Sequence, residues 1–209
     1  MARIKAIIWD FDGVLMRTED DGPRHAWDQR LGLPIGSVER AVQRSDIWVQ
    51  AQLGRVTEKA YWLGVAELLY IRRDNLDLIR ELRTDFFAGD RLNYRLISLI
   101  QELKTAGYHQ GLLTNNSLQL EAKLRDLGIY DLFDCVLISA QIGFMKPDSA
   151  AYRVALQELH VKPDEAVVID DALNNIRVAQ TMGIPTILYR PETDVRAELE
   201  LLLNTGSEA

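Results

Sequence analysis

The apolar residues of this chain fall into three successive patterns. Residues 6–9, Ala-Ile-Ile-Trp, are apolar without alternation, as in a strand buried on both faces of a parallel sheet covered by helices. From residue 20 to about residue 89, apolar residues recur at spacings of three and four among Arg, Gln and Glu, which predicts helices. Breaks at 32–36, at Gly54 and near Asp74 divide this block into four helices, one opening at Thr57 with Glu58 in its first turn. No strand is predicted within it. An all-helical block set directly behind the first strand reads as a separate small domain, a cap.

Beyond Gly89, strand and helix patterns alternate, which implies a parallel sheet with right-handed crossovers. Helices are expected over 91–106, 117–127, 148–159, 174–182 and 194–203, and strands over 110–114, 135–139, 166–169 and 185–189. Leu92, Leu96, Leu99, Ile100 and Leu103 would share one face of the first of these helices. Gly107, Gly128 and Gly183 stand where three of the helices should stop, and Asp148 or Ser149 is the expected N-cap of another. The tail, 204–209, is expected to be disordered. Residues 1–18 and 90–209 would form an α/β core around the parallel sheet, with 19–89 as the inserted all-helical cap.

With 209 residues and 47% hydrophobic content, the chain can bury a sizeable core as one domain with a large insertion or as two small ones. It lacks a signal-peptide pattern and any apolar stretch long enough for a bilayer, so it is expected in the cytoplasm with no membrane partner. A formal net charge of −7 argues against nucleic acid as the main partner. A locally basic mouth would still attract a phosphorylated metabolite. The single cysteine, Cys135, lies in the apolar run 135–138, so it forms no internal disulfide and reads as inert core. His25, His109 and His160 have no metal-ligand spacing, and Trp9, Trp27, Trp48 and Trp62 read as packing residues.

The candidate chemistry stands where the predicted strands end. Asp10 and Asp12 close the first strand, two apart and so on one face, and Gly13 turns the chain behind them. Two carboxylates that close repel unless a proton or cation intervenes, and a hard divalent ion such as Mg²⁺ fits. The other junctions carry Thr114-Asn115-Asn116, Lys146 and Asp170-Asp171. All strands of a parallel sheet end on one edge, so these groups face one crevice. Two acidic clusters suit Mg²⁺, while a hydroxyl, a lysine and helix N-terminal amides suit a phosphate. Taken singly, each has a plainer reading: Lys146 as a solvated loop lysine, Asp170-Asp171 as helix-capping residues, Thr114 as an ordinary strand end.

In order and spacing, Asp10-Phe11-Asp12-Gly13-Val14, Thr114-Asn115, Lys146-Pro147-Asp148 and Asp170-Asp171 resemble the four motifs of the haloacid dehalogenase (HAD) superfamily. The helical block between the first two resembles its C1-type cap. The likeness covers nearly the whole chain and implies a Rossmann-like core. Within the superfamily the chain is similar to sugar-phosphate phosphatases and to the phosphatase domain of some epoxide hydrolases.

The resemblance implies a Mg²⁺-dependent phosphatase of small phosphomonoesters, with Asp10 as nucleophile forming an aspartyl-phosphate. Asp12 would act as general acid and then base, while Thr114, Asn115 and Lys146 would hold the phosphoryl group. Asp10, the backbone carbonyl of Asp12 and Asp171 would bind the metal, Asp170 would do so directly or through water, and Asn175 would pin the acidic loop. Glu19, Arg24, Arg44 and Arg55 are candidates to face the site from the cap. The protein would work as a monomer or homodimer. The alternatives are a 2-haloacid dehalogenase, against which Asp12 counts, a phosphosugar mutase, which shares all four motifs, and a non-catalytic regulatory module, which would be expected to have lost one of these residues.

Overall fold

The computed structural model describes residues 4–204; the tail for which the sequence predicts disorder lies, apart from Asn204, outside them. The chain opens with strands β1 (Ala6–Trp9) and β2 (Met16–Thr18). Five helices follow: α1 (Gly22–Arg30), α2 (Ser37–Gln43), α3 (Asp46–Gln52), α4 (Glu58–Leu68) and α5 (Leu76–Phe86). Strand β3 (Asp90–Leu92) and helix α6 (Tyr94–Thr105) lead into β4 (His109–Thr114), α7 (Leu120–Asp126), β5 (Cys135–Ile138), α8 (Ser139–Ile142) and α9 (Ser149–Glu158). The order ends with β6 (Ala166–Asp170), α10 (Leu173–Thr181), β7 (Thr186–Leu188) and α11 (Val195–Asn204).

The main sheet is parallel throughout and runs β5-β4-β1-β6-β7, with β1 at its centre. The unbroken apolar run of β1 follows from that position, because both of its faces are covered. Ile7 and Trp9 pack with Leu96, Ile100, Leu124 and Leu199 on one side, while Ala6 and Ile8 pack with Tyr152, Leu156 and Ile176 on the other. Trp9 also donates its indole N–H to Gln110 Oε1 at 2.9 Å, which satisfies the one polar atom of a fully buried ring. The fold is therefore the Rossmann-like α/β core expected. Gly107, Gly128 and Gly183 follow the ends of α6, α7 and α10 in left-handed conformations. Asp148 caps α9 by accepting the Ala150 N–H at 2.8 Å. Cys135 is free and half-buried, and burial pushes its thiol up to about 12, which leaves it the inert residue expected.

The helical insertion has a core of its own, built on Trp27, Tyr61, Trp62, Val65, Leu82 and Phe86. It contains five helices where the spacing predicts four. Arg44 leaves the helical region, and the Ser45 hydroxyl starts a new helix by accepting the Trp48 N–H at 3.4 Å. Thr57 caps α4 as predicted, accepting the Ala60 N–H at 3.2 Å. Among the described residues, no helix is long and apolar enough to cross a membrane.

The two connections between core and insertion pair as an antiparallel ribbon, Met16 opposite Leu92 and Thr18 opposite Asp90. This corrects the helix expected to begin at residue 91. Asn93 caps α6 by accepting the Leu96 N–H at 3.3 Å, so residues 90–92 are free to pair with β2 instead. Arg24, a candidate to face the site, is buried against this ribbon. Its Nη2 donates to Thr18 Oγ1 at 2.7 Å and to Asp90 Oδ1 at 3.0 Å, and its guanidinium lies 4.3 Å from the centre of the Phe86 ring. Arg44 pairs with Glu39 on the surface.

The insertion also touches the sheet edge directly. Gln52 donates its side-chain N–H to the Asn115 carbonyl at 2.9 Å, and Ser139 Oγ donates to the Gln52 carbonyl at 2.7 Å. The end of α3 thus rests on the residues that follow β4 and β5.

Candidate active site

At the C-terminal edge of the sheet, Asp10 continues β1 and is fixed by its N–H to the Ile169 carbonyl at 3.0 Å. Its carboxylate is almost enclosed. Oδ1 accepts the Phe11 N–H at 2.7 Å and the Lys146 ammonium at 2.8 Å. The same ammonium donates to Asp170 Oδ2 at 2.6 Å. Asp170, at the end of β6, also accepts from the Ala172 N–H at 2.8 Å and from Asn175 Nδ2 at 3.0 Å. The Asn175 side chain therefore holds the acidic loop through Asp170.

Lys146 reaches these acids from the loop after α8, although its sequence position is far from both. Asn115 fixes that loop: its side chain donates to the Lys146 carbonyl at 2.7 Å and accepts the Lys146 N–H at 2.8 Å. Both ends of the Asn115 amide are thus used on backbone. Asn115, expected to bind phosphate, thus has its side chain engaged in positioning Lys146.

Charge at this point is unbalanced. Carboxylate oxygens of Asp10, Asp170 and Asp171 come within 4.8 Å of one another, and one ammonium answers three acids. Burial pushes the Asp10 carboxyl up, with Lys146 pulling it down and Asp170 adding to the rise. Asp171 is raised by burial and by Asp170. Burial works against the charge on Lys146, but Asp10 and Asp170 outweigh it and hold its pKa above the usual lysine value. An all-oxygen donor set with excess negative charge suits a hard divalent cation. The Asp12 side chain stands outside the trio.

Gly13, at φ +84°, allows Asp171 into that trio. A Cβ at position 13 would overlap the Asp171 carboxylate, so both the backbone conformation and the space exclude other residues.

Thr114, the last residue of β4, is 1% exposed, and among the described residues its Oγ1 is the buried side-chain atom without a hydrogen-bond partner. A buried hydroxyl in that condition is costly unless a ligand completes it. Since Trp9 lies opposite Leu112, Thr114 ends β4 one residue beyond the level of Asp10 on the same sheet edge, where a phosphoryl oxygen would supply the missing acceptor.

Asp12 faces the cleft between core and cap. Its Oδ2 accepts from Asn116 Nδ2 at 2.7 Å. It reaches solvent yet is crowded by protein, and that desolvation pushes its carboxyl up to about 6 against the pull of Lys123. A carboxyl in that range can hold or release a proton near neutral pH.

Two cavities meet at Asp12 and Gln43. One, of about 380 Å³, is polar, with Arg17, Asp90, Asp171 and Arg190 in its wall. The other, of about 400 Å³, lies under the cap. Arg190, Lys123 and the side-chain contact of Asn116 are additions to the residues singled out from sequence. Arg190 stands just past β7 on the same sheet edge, a position that the strand-end argument could have included. Lys123 carries no such signal, since it depends on how α7 faces the cap.

A family model described as haloacid dehalogenase-like hydrolase matches residues 4–183. Phosphatase MT3486 of Mycobacterium tuberculosis is 32% identical over 200 residues, covering 88% of this chain and 87% of its own length. The bifunctional epoxide hydrolase 2 of Rattus norvegicus is 31% identical over 133 residues, 61% of this chain and only 24% of the relative. The chain thus spans a minor part of that longer protein. In structure, the chain is similar to a HAD-family enzyme of Bacteroides thetaiotaomicron crystallised with magnesium and inorganic phosphate. Its TM-score is 0.76 at 20% identity, over 93% of this chain and 98% of the other. With its motifs on one sheet edge and most of its length matched by the family model, the chain belongs to the haloacid dehalogenase-like hydrolases.

Proposed function

We propose that this chain is a Mg²⁺-dependent phosphatase of small phosphomonoesters that works through an aspartyl-phosphate on Asp10. Residues 19–89 act as a cap over a core formed by 1–18 and 90–209. The observation that carries the reading is the Lys146 ammonium held between Asp10 and Asp170 within the acidic trio, with the unpartnered Thr114 hydroxyl on the same sheet edge. Together they provide a donor, a cation and a carboxylate nucleophile around one point on the sheet edge.

In this mechanism a carboxylate oxygen of Asp10 attacks phosphorus, and the bond from phosphorus to the leaving oxygen breaks. Thr114 Oγ–H and Lys146 Nζ hold phosphoryl oxygens and offset the negative charge gathered there. Asp12 gives its proton to the leaving alcohol. It then takes a proton from the water that attacks the phosphoryl group on Asp10, which restores the free aspartate and releases phosphate. Asn116 holds the Asp12 carboxyl in place through the cycle. Asp10, Asp171 and the Asp12 carbonyl would hold Mg²⁺, with Asp170 joining directly or through water. The ion would supply positive charge to the transferring phosphoryl group. The phosphatase name of the mycobacterial relative and the magnesium and phosphate in the Bacteroides structure support this reading.

The test is phosphate release from an aryl phosphate with Mg²⁺ and with excess chelator, alongside halide release from a 2-haloacid. We expect phosphate release that stops in chelator and no halide release. Undiminished activity in chelator would overturn the metal requirement, and halide release without phosphate release would overturn the phosphatase.

A further inference from the structure

The cavity under the cap differs in character from the polar cavity on the other side of Asp12. Its wall includes Asp12 itself, Trp48, Trp62, Phe87, Leu120 and Lys123. The cap side is a continuous aromatic row. Trp48 and Tyr61 have ring centres 5.6 Å apart, Tyr61 and Trp62 5.2 Å, and Trp62 and Phe87 6.5 Å. The Tyr61 hydroxyl donates to the Val42 carbonyl at 2.6 Å, so this residue offers the cavity its ring and not its polar end.

The charged groups along the same wall are Asp12, Glu58, Arg83, Lys123 and Asp126. Glu58 and Arg83 pair with each other at 2.6 Å. The Lys123 ammonium lies 5.0 Å from the centre of the Phe87 ring and 5.8 Å from that of Phe11. Phe87 is 39% exposed and is one of the residues that line this cavity.

Resting on the phosphatase reading, we propose that this cavity receives the leaving alcohol and selects phosphomonoesters of apolar alcohols over those of polyhydroxylated ones. This departs from the sugar phosphates that the sequence resemblance implies. Asp12 lines both cavities, and an alcohol that takes its proton from Asp12 and occupies the one under the cap has its carbon chain along the aromatic row. An apolar chain would cover the exposed ring of Phe87 and remove it from water, with Trp62 packed behind it. The polar residues Ser117, Gln119 and Asp126 line the core side; against the aromatic cap side a sugar's hydroxyls find rings, and each hydroxyl left unpaired there weakens binding. The volume of about 400 Å³ is in the range of pockets that enclose small organic ligands.

The experiment compares kcat/KM for hexyl phosphate and sorbitol 6-phosphate in Mg²⁺. Both leaving groups are primary alcohols of equal carbon count, so they differ mainly in polarity. Hexyl phosphate should be the better substrate by about tenfold or more. Trp62→Ala and Phe87→Ala should each reduce the hexyl-to-sorbitol ratio by about tenfold. Phe87→Ala keeps the test alive if the buried Trp62→Ala fails to fold, since Phe87 lies at the rim. Sorbitol 6-phosphate turned over as fast as hexyl phosphate, or a ratio unmoved by Phe87→Ala, would overturn the proposal while leaving the phosphatase intact.

If neither substrate nor acetyl phosphate releases phosphate, the phosphatase reading fails by itself. The cavity is then judged by calorimetric binding of hexylphosphonate against methylphosphonate. Tighter binding of the hexyl compound, weakened by Phe87→Ala, would support the apolar preference, and equal binding would overturn it.

Discussion

Lys146 and Asp170 are joined by a buried contact of 2.6 Å, slightly shorter than the 2.8 Å that separates the same ammonium from Asp10. The lysine that the motif reading assigns to substrate phosphate is therefore also the counter-charge of two acids before any substrate arrives.

Lys146→Met should show both roles. Removing one partner of a buried ion pair costs about 3–5 kcal/mol because the other charge is left uncompensated. The melting temperature should fall, and phosphate turnover should be lost. Mg²⁺ should raise the melting temperature of the variant more than that of the wild type, because a cation among the acids replaces the missing positive charge. A variant melting like wild type in metal-free buffer would contradict the assigned charge balance.

Thr114→Val separates stability from function. The hydroxyl has no partner in the unliganded protein, so an isosteric apolar side chain should leave the melting temperature unchanged or raise it. Turnover should nevertheless fall by about 10²–10³, the usual effect of removing one donor from a transition-state oxygen. Thermal melting and kcat measured on the same preparation check this, and a marked loss of stability would mean that the hydroxyl is needed by the fold.

Asp12→Asn should keep its contact region with Asn116 but lose the proton. Turnover should drop by about 10²–10⁴, more for an alkyl phosphate than for an aryl phosphate, whose leaving group departs with less help. Rapid quench should find phosphate on Asp10 with the aryl substrate. Equal losses for the two substrates and no trapped phosphoenzyme would remove Asp12 from the role of acid and base.

Arg24→Met should act first on the attachment of the helical insertion. The guanidinium is held by Thr18, Asp90 and the Phe86 carbonyl, and both partners of its ion pair with Asp90 are largely buried. Its loss should cost about 3–5 kcal/mol. The α1 to α5 block should become susceptible to limited proteolysis before the core does. Proteolysis that begins in the core would mean that the ribbon does not depend on Arg24.

Much of this was legible in the sequence, for identifiable reasons. The central strands β1 and β6 were readable because each is an apolar run buried along its whole length, and Asp10, Lys146, Asp170 and Asp171 could be grouped because parallel strands end on one edge. The ribbon of Met16–Thr18 and Asp90–Leu92 was not readable. Its strands are three residues long, too short for periodicity, and both carry arginine at the middle position. Arg24 looked like a site residue because arginine on a helix is usually exposed, and only its packing against Phe86 reveals the buried role. The aromatic row from Trp48 to Phe87 was hidden for a related reason. Trp48 lies on α3, Tyr61 and Trp62 on α4, and Phe87 just past α5, so their alignment is a product of tertiary packing and leaves no spacing to detect.

The ribbon also has an architectural consequence. Both chain crossings into the helical block are bound side by side, with Met16 opposite Leu92 and Arg17 opposite Arg91, so the block hangs from the sheet by one two-ply strap. Its attachment points stay together whatever lies between them. A different helical block, or a shorter one, could be grafted onto the same pair of strands without re-spacing the catalytic edge, and the reagent-holding sheet and the substrate-choosing insert are then free to vary as interchangeable parts.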